Sequence, residues 1–84
     1  MAFELLIQPK ARKSLNKISE PYQSRIIATL DAILANPFFS KALSGDRKGE
    51  YSVRVWPYRI IYTIDKKILL IVIIDVDHRQ GIYK

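Results

Sequence analysis

Apolar and polar positions change their rhythm partway along this chain. Phe3 to Ile7 is a short apolar run closed by Gln8-Pro9, which reads as a first strand. From Lys10, the apolar residues Ala11, Leu15 and Ile18 recur at helical spacing, while Lys10, Arg12, Lys13 and Lys17 take the other faces. Pro9 fits a first helical turn, so an amphipathic helix of about ten residues is expected. Ser19-Glu20-Pro21 is the next start signal, with Ser19 as N-cap, an acid at the positive end of the dipole and proline in the first turn. Tyr22, Ile26, Leu30, Ile33 and Leu34 then line one face of a second helix. Asn36-Pro37 ends it, because proline disfavours helical geometry in the residue before it. A link of two residues between the helices predicts a helical hairpin.

After this the period drops to two. Residues 38–49 are expected to be a connector anchored by Phe38, Phe39 and Leu43. Tyr51, Val53 and Val55 alternate with Ser52, Arg54 and Trp56, which marks a strand. Trp56-Pro57 reads as a turn, and Tyr58 to Ile64 as the returning strand. Asp65-Lys66-Lys67 turns the chain again. Ile68 to Val76 is too uniformly apolar for a half-exposed strand, so it is expected to be central and covered on both faces. Asp77 to Lys84 is a short polar tail. The predicted order is β-α-α-β-β-β in one domain spanning residues 1–84, of the α+β class. Two N-terminal helices cover one face of a small, mostly antiparallel sheet. The other face, with Arg54, Arg59 and part of the tail, is expected to be open and basic.

Composition narrows the chemistry. A domain of 84 residues buries only about 60% of its unfolded surface, but 49% hydrophobic residues suffice for a core. Without cysteine there are no disulfides, no thiolate chemistry and no Cys-based zinc site, and His78 is the sole histidine. No metal and no cofactor are therefore expected. The same lack of cysteine suits a reducing, cytoplasmic setting. Glu4 and Pro9 argue against a secretory leader. The longest purely apolar run, Ile68 to Ile74, falls well short of the about 20 residues that a membrane helix needs. The formal charge is +6, with five bases against three acids in residues 1–37 and nine against five thereafter. Such a field attracts nucleic acid, an anionic membrane or an acidic protein, and charge alone does not choose among them.

A few residues carry chemical promise. If Trp56-Pro57 is a two-residue turn, Arg54 faces Arg59 across the hairpin. Like charges directly opposite are unfavourable, unless an anion lies between them. The plainer reading has both arginines splayed into water or meeting carboxylates such as Asp75. His78-Arg79 follows the central strand, and Tyr83 follows five residues after His78. Together they offer a proton exchanger near neutral pH, a guanidinium fork suited to phosphate, and a phenol. The plainer reading is a solvated tail. Glycines at 45, 49 and 81 make no phosphate-binding loop, and no nucleophile elbow is present. Asp75 and Asp77 lack the third and fourth ligands of a metal site.

The segments Ala42-Leu43-Ser44-Gly45, Tyr51-Ser52-Val53-Arg54-Val55, Tyr58-Arg59-Ile60-Ile61-Tyr62, Asp77-His78-Arg79 and Ile82-Tyr83 together resemble the RelE branch of the RelE/ParE toxin superfamily. The resemblance covers nearly the whole chain. It implies a RelE-like fold and a toxin of a type II toxin-antitoxin system. The implied activity is metal-independent cleavage of messenger RNA in the ribosomal A site, which inhibits translation. It also implies a small acidic cognate antitoxin, with operator DNA reached only through that partner and no membrane partner. Carried over by position, Arg59, His78, Arg79 and Tyr83 are the catalytic candidates and Arg54 a substrate-binding one. Lys48 and Arg47 of the loop, which match no family position, are added as further substrate-binding candidates. Arg59 and Arg79 would stabilise charge and Arg54 would bind a substrate phosphate. His78 and Tyr83 are acid/base candidates in either order, and stacking on a base is the other role open to Tyr83. The ribosome-dependent type member has a lysine where this chain has Ser52, and Lys48 or Arg47 is a candidate replacement. The alternative function is that of a ParE-like gyrase inhibitor, or of a weakly catalytic relative that mainly binds antitoxin and DNA.

Overall fold

A computed structural model describes residues 2–42 and 49–78. Its elements in chain order are β1 (Glu4–Ile7), α1 (Pro9–Lys17), α2 (Tyr22–Ala35), β2 (Lys41–Ala42), β3 (Glu50–Val55), β4 (Tyr58–Asp65) and β5 (Leu70–His78). The predicted β-α-α-β-β-β order is present, with the two-residue β2 added inside the stretch expected to be a plain connector. β2 pairs with β3 through Lys41↔Ser52 and Ala42↔Tyr51. Two residues are too few to show alternation, so the sequence carries no sign of it.

The sheet order is β1-β5-β4-β3-β2. β1 lies parallel to β5, and the other three pairs are antiparallel. The parallel pair requires a long crossover, and the helices lie within it. β5 is an interior strand, between β1 and β4, but the expectation of cover on both faces is corrected. The two helices cover one face, and Leu70 and Val72 on the other are only half-buried. Ala11 and Leu15 of α1 and Ile26, Leu30 and Ile33 of α2 pack on Ile60, Tyr62, Ile71, Ile73 and Val76 of the sheet.

The helix boundaries differ from the sequence expectation. α2 begins at Tyr22 with Pro21 as its N-cap, so the link covers residues 18–21 rather than two residues. Ser19 does not cap through its side chain. Its carbonyl accepts the N–H groups of Tyr22 and Gln23, both at 3.1 Å. Glu20 takes the capping role instead, accepting the backbone N–H of Ser24 at 2.8 Å and its hydroxyl at 2.6 Å. These bonds hold the Glu20 carboxyl below its ordinary pKa.

Three apolar expectations are also corrected. Phe38 and Phe39 are about half exposed rather than core anchors. Phe38 meets the Phe3 ring edge-on at 6.0 Å and lies 5.6 Å from the Lys66 ammonium. Leu34 stands at the solvent margin of α2. Ile68 is exposed, because it belongs to the turn before β5. There Asp65 Oδ1 accepts the N–H groups of Lys67 at 3.0 Å and Ile68 at 3.4 Å. The connector is tied down by a residue of β4 instead. Tyr62 is fully buried, donates its hydroxyl to the Pro37 carbonyl at 2.6 Å and shares a short hydrogen bond with Ser40. Burial raises the pKa of this phenol.

Candidate nucleic-acid interface

The alternation of β3 and β4 fixes which side chains share a face. Tyr51, Val53, Val55, Tyr58, Ile60 and Tyr62 belong to the helix-covered face. Their sequence neighbours Ser52, Arg54, Arg59 and Ile61 therefore belong to the other, here called the arginine face. The Trp56-Pro57 turn has the expected two residues, and Arg54 stands directly opposite Arg59. Asp77 of β5 is opposite Arg59 on its other side. One cross-strand row is thus Arg54–Arg59–Asp77. The next row inward is Ser52–Ile61–Asp75.

These rows differ sharply in burial. Ser52 is 5% exposed, Ile61 0% and Asp75 9%. Arg54 and Asp77 are exposed, and Arg59 is half-buried between them. The expectation of a face open along its whole length is therefore corrected. It is closed at its middle row, which holds a fully buried isoleucine, and is exposed on either side of it, at Arg54 and Asp77 toward the hairpin and at Glu4, Leu6 and Asp65 toward the other end. The change of row is also a change of chemistry, from an apolar centre to a pair of guanidinium groups. Asp75 does not need an arginine to balance it: its Oδ2 lies 3.5 Å from the Lys10 Nζ.

Arg59 is held in place. Its Nη1 donates to Ser52 Oγ at 2.9 Å. Ser52 is in turn fixed by backbone pairing on both sides, to Lys41 of β2 and Ile61 of β4. In the sequence, Ser52 stands out only as a departure from the family pattern. The signal that finds it is the register itself. With Arg54 opposite Arg59, Ser52 must lie on the diagonal from Arg59, within reach of a long side chain.

His78 is at the same end of the sheet, but it faces differently from the arginines. It pairs in register with Tyr58, and the two rings meet edge-on at 5.8 Å. Tyr58 meets Tyr22 of α2 in the same manner at 5.8 Å, and Arg25 lies over the Tyr22 ring at 5.8 Å. An aromatic column thus links α2 to the end of β5 on the helix side. The backbone N–H of His78 also donates to Asp77 Oδ1 at 2.7 Å. The structure brings Arg54 and Arg59 together and turns His78 toward Tyr58. Arg47, Lys48, Arg79 and Tyr83 lie outside the described residues.

Two helices on one face of a mixed sheet, in this element order, make a RelE-like α+β fold. The comparisons agree. A family model described as the ParE toxin of the type II toxin-antitoxin system parDE matches residues 5–83, and the chain belongs to this family. It is a type II toxin of the RelE/ParE superfamily, and its structural likeness is to the RelE branch. The RelBE2 toxin-antitoxin complex of Mycobacterium tuberculosis contains a chain 26% identical, with a TM-score of 0.84 over 94% of this chain and 100% of that one. The archaeal RelE-RelB complex of Pyrococcus horikoshii matches at 22% identity and TM-score 0.76, over 94% of this chain and 97% of that one. The YoeB/ParE toxin of Agrobacterium tumefaciens matches at 15% identity and TM-score 0.80, over 92% and 99%. No curated protein gives a significant match.

Proposed function

We propose that this toxin is a metal-independent endoribonuclease that cleaves messenger RNA on the ribosome and so stops translation. The observation that carries the reading is the direct pairing of Arg54 with Arg59 at the exposed rim of the arginine face. Two guanidinium groups opposite each other, with Asp77 in register beside Arg59, offer a pair of charged donors to a phosphate. In the reaction, the ribose 2′-oxygen attacks the adjacent phosphorus while its proton passes to a base. The P–O5′ bond breaks, and the 5′-oxygen takes a proton from an acid. The products are a 2′,3′-cyclic phosphate and a 5′-hydroxyl. Charge gathers on the phosphoryl oxygens, where fixed donors act most strongly. Arg59 and Arg79 are assigned to those oxygens and Arg54 to a neighbouring phosphate, with Arg47 and Lys48 as further substrate contacts. His78 and Tyr83 are the acid/base candidates. The ring contact of His78 with Tyr58 favours Tyr83 as the group that works beside Arg59.

An acidic antitoxin is the proposed partner in the cytoplasm, with operator DNA bound through it. Apolar residues for such a partner are exposed at Leu6 on the edge strand β1 and at Ile27 and Leu34 on α2, while the net charge of +6 steers an acidic chain toward the protein. The matching family model is that of a ParE toxin, and the ParE side of the resemblance gives a second reading, a gyrase-directed toxin. The two separate in one experiment. The toxin is added to a translating cell extract and the message is mapped by primer extension, with the ends identified chemically. Cleavage leaving a 2′,3′-cyclic phosphate is expected. An intact message, with DNA synthesis failing before protein synthesis in pulse-labelled cells, supports the gyrase reading instead.

A further inference from the structure

We infer that Ser52 is a positioning residue of this site, holding the Arg59 guanidinium in the orientation in which it meets the scissile phosphate. The inference rests on the ribonuclease reading above and adds a role that no motif assigns. Three observations carry it. Ser52 Oγ accepts from Arg59 Nη1 at 2.9 Å, a bond in which the donor is charged. Ser52 is 5% exposed, so this hydroxyl is largely withdrawn from water. Its backbone is clamped between β2 and β4, so the acceptor itself has little freedom to move.

The consequence follows from the geometry of a guanidinium. Arginine presents its donors in a rigid planar fork, so fixing one nitrogen restricts the direction of the others. Arg59 is then a preorganised donor, which is the form of electrostatic stabilisation that needs no reorganisation as the charge develops. Arg54 is exposed and lies one strand further from the centre of the sheet. The two arginines therefore divide the work. Arg59 acts mainly in the transition state, and Arg54 mainly in binding. Ser52 acts only through Arg59 and touches no substrate.

The test is single-turnover cleavage of a message on purified ribosomes, by wild type, Ser52→Ala, Ser52→Thr, Arg59→Ala and the double variant Ser52→Ala/Arg59→Ala. Misaligning a catalytic group costs rate rather than binding, so Ser52→Ala is expected to lower the rate at saturation by about tenfold or more and to leave half-saturation within about twofold. Ser52→Thr keeps the hydroxyl and is expected to restore the rate to within about threefold of wild type. In the Arg59→Ala background, Ser52→Ala is expected to add nothing, because its target is gone. Nitrogen-15 relaxation of the Arg59 side chain in the free toxin supplies a readout independent of RNA, with restricted motion in wild type and Ser52→Thr and free motion in Ser52→Ala. Melting curves confirm that each variant folds. If wild type does not cleave, the ribonuclease reading fails and this inference with it. If wild type cleaves and Ser52→Ala matches it, or if Ser52→Ala slows both backgrounds equally, the ribonuclease reading stands and the positioning role is overturned.

Discussion

The two faces of this sheet are built from the same strands and do opposite things. On the helix face, Ile60, Tyr62, Ile71, Ile73 and Val76 are all 0% exposed and pack against α1 and α2. On the arginine face, the burial of Ser52, Ile61 and Asp75 gives way within one row to Arg54, Arg59 and Asp77. A step of one residue along β4 moves from a core position, Ile60, to a candidate catalytic one, Arg59. The lesson is that period-two alternation lets a domain of 84 residues separate stability from chemistry without separate modules. The separation is incomplete, because Ile61 is buried on the arginine face and anchors that side of the site.

The largest effect is expected from breaking the helix face. Ile73 is fully buried on the interior strand β5 and pairs with Ile7 on one side and Tyr62 on the other. Ile73→Ala removes apolar contact and leaves a cavity, for a loss of about 2–5 kcal/mol. That is a large part of the stability of so small a domain. Thermal or urea melts should show the loss, while cleavage per folded molecule at low temperature should stay near wild type. A fall in that specific rate matching Arg59→Ala would show that the faces are not separable.

Next comes the arginine face itself. Arg59→Ala is expected to lower cleavage by about 10²-fold or more, because it removes a fixed donor to the developing charge. Arg59 is half-buried and bonded to Ser52, so some stability is lost as well, about 1 kcal/mol. Arg54→Ala should chiefly weaken binding and leave the saturated rate closer to wild type. Equal losses of saturated rate in both variants would erase the proposed division between them.

Tyr62 joins the helix face to the connector. Tyr62→Phe keeps the ring stacked on Tyr51 at 5.6 Å but leaves the Pro37 carbonyl without its donor. A cost of about 1–3 kcal/mol is expected, with cleavage unaffected. The same phenol gives a pH dependence whose sign follows from burial. Its folded pKa lies above the ordinary value of 10.0, so the folded state holds the proton more tightly. Stability is therefore full below the unfolded pKa and declines as pH rises through it toward the folded one. The alkaline decline should be absent from Tyr62→Phe when melts are compared across that range.

Much of this was legible in the sequence where the pattern was periodic. The Trp56-Pro57 turn sets the register of two strands, and with it the Arg54–Arg59 pair. The interior place of β5, flanked by strands on both sides, follows from its apolar run. What escaped lies where periodicity is absent or where a contact depends on three dimensions. Phe38 and Phe39 are apolar residues in an irregular segment, and nothing in one dimension tells a buried ring from an exposed one. β2 is too short to announce itself. Glu20 displaced Ser19 as the cap because the chain turns at Pro21, which puts the longer side chain within reach of Ser24. In the candidate site, the arginine pair was legible. The bond from Arg59 to Ser52 needed the diagonal of the register, and the facing of His78 needed the parity of β5 beyond its irregularity opposite Ile61 and Tyr62.

His78 provides the finest test of the comparison, because sequence order and sheet geometry disagree about it. By sequence it stands beside Arg79 and invites an acid/base role. By geometry it belongs with Tyr58 and Tyr22, at the end of the helix face. A general acid or base contributes about 10²–10⁴-fold, so a catalytic His78 would reveal itself clearly. If the ring instead helps secure the strand end, His78→Ala should lower cleavage by less than about tenfold and cost only an edge contact worth about 0.5–1.5 kcal/mol at most. His78→Phe then separates the two roles. Phenylalanine restores an aromatic edge against Tyr58 but cannot exchange a proton. Recovery of stability and rate together in His78→Phe is expected. A loss of 10² or more in both variants, with the acidic or basic limb of the pH–rate profile removed, would return His78 to the catalytic set and show that the strand end reaches around to the arginine face during the reaction.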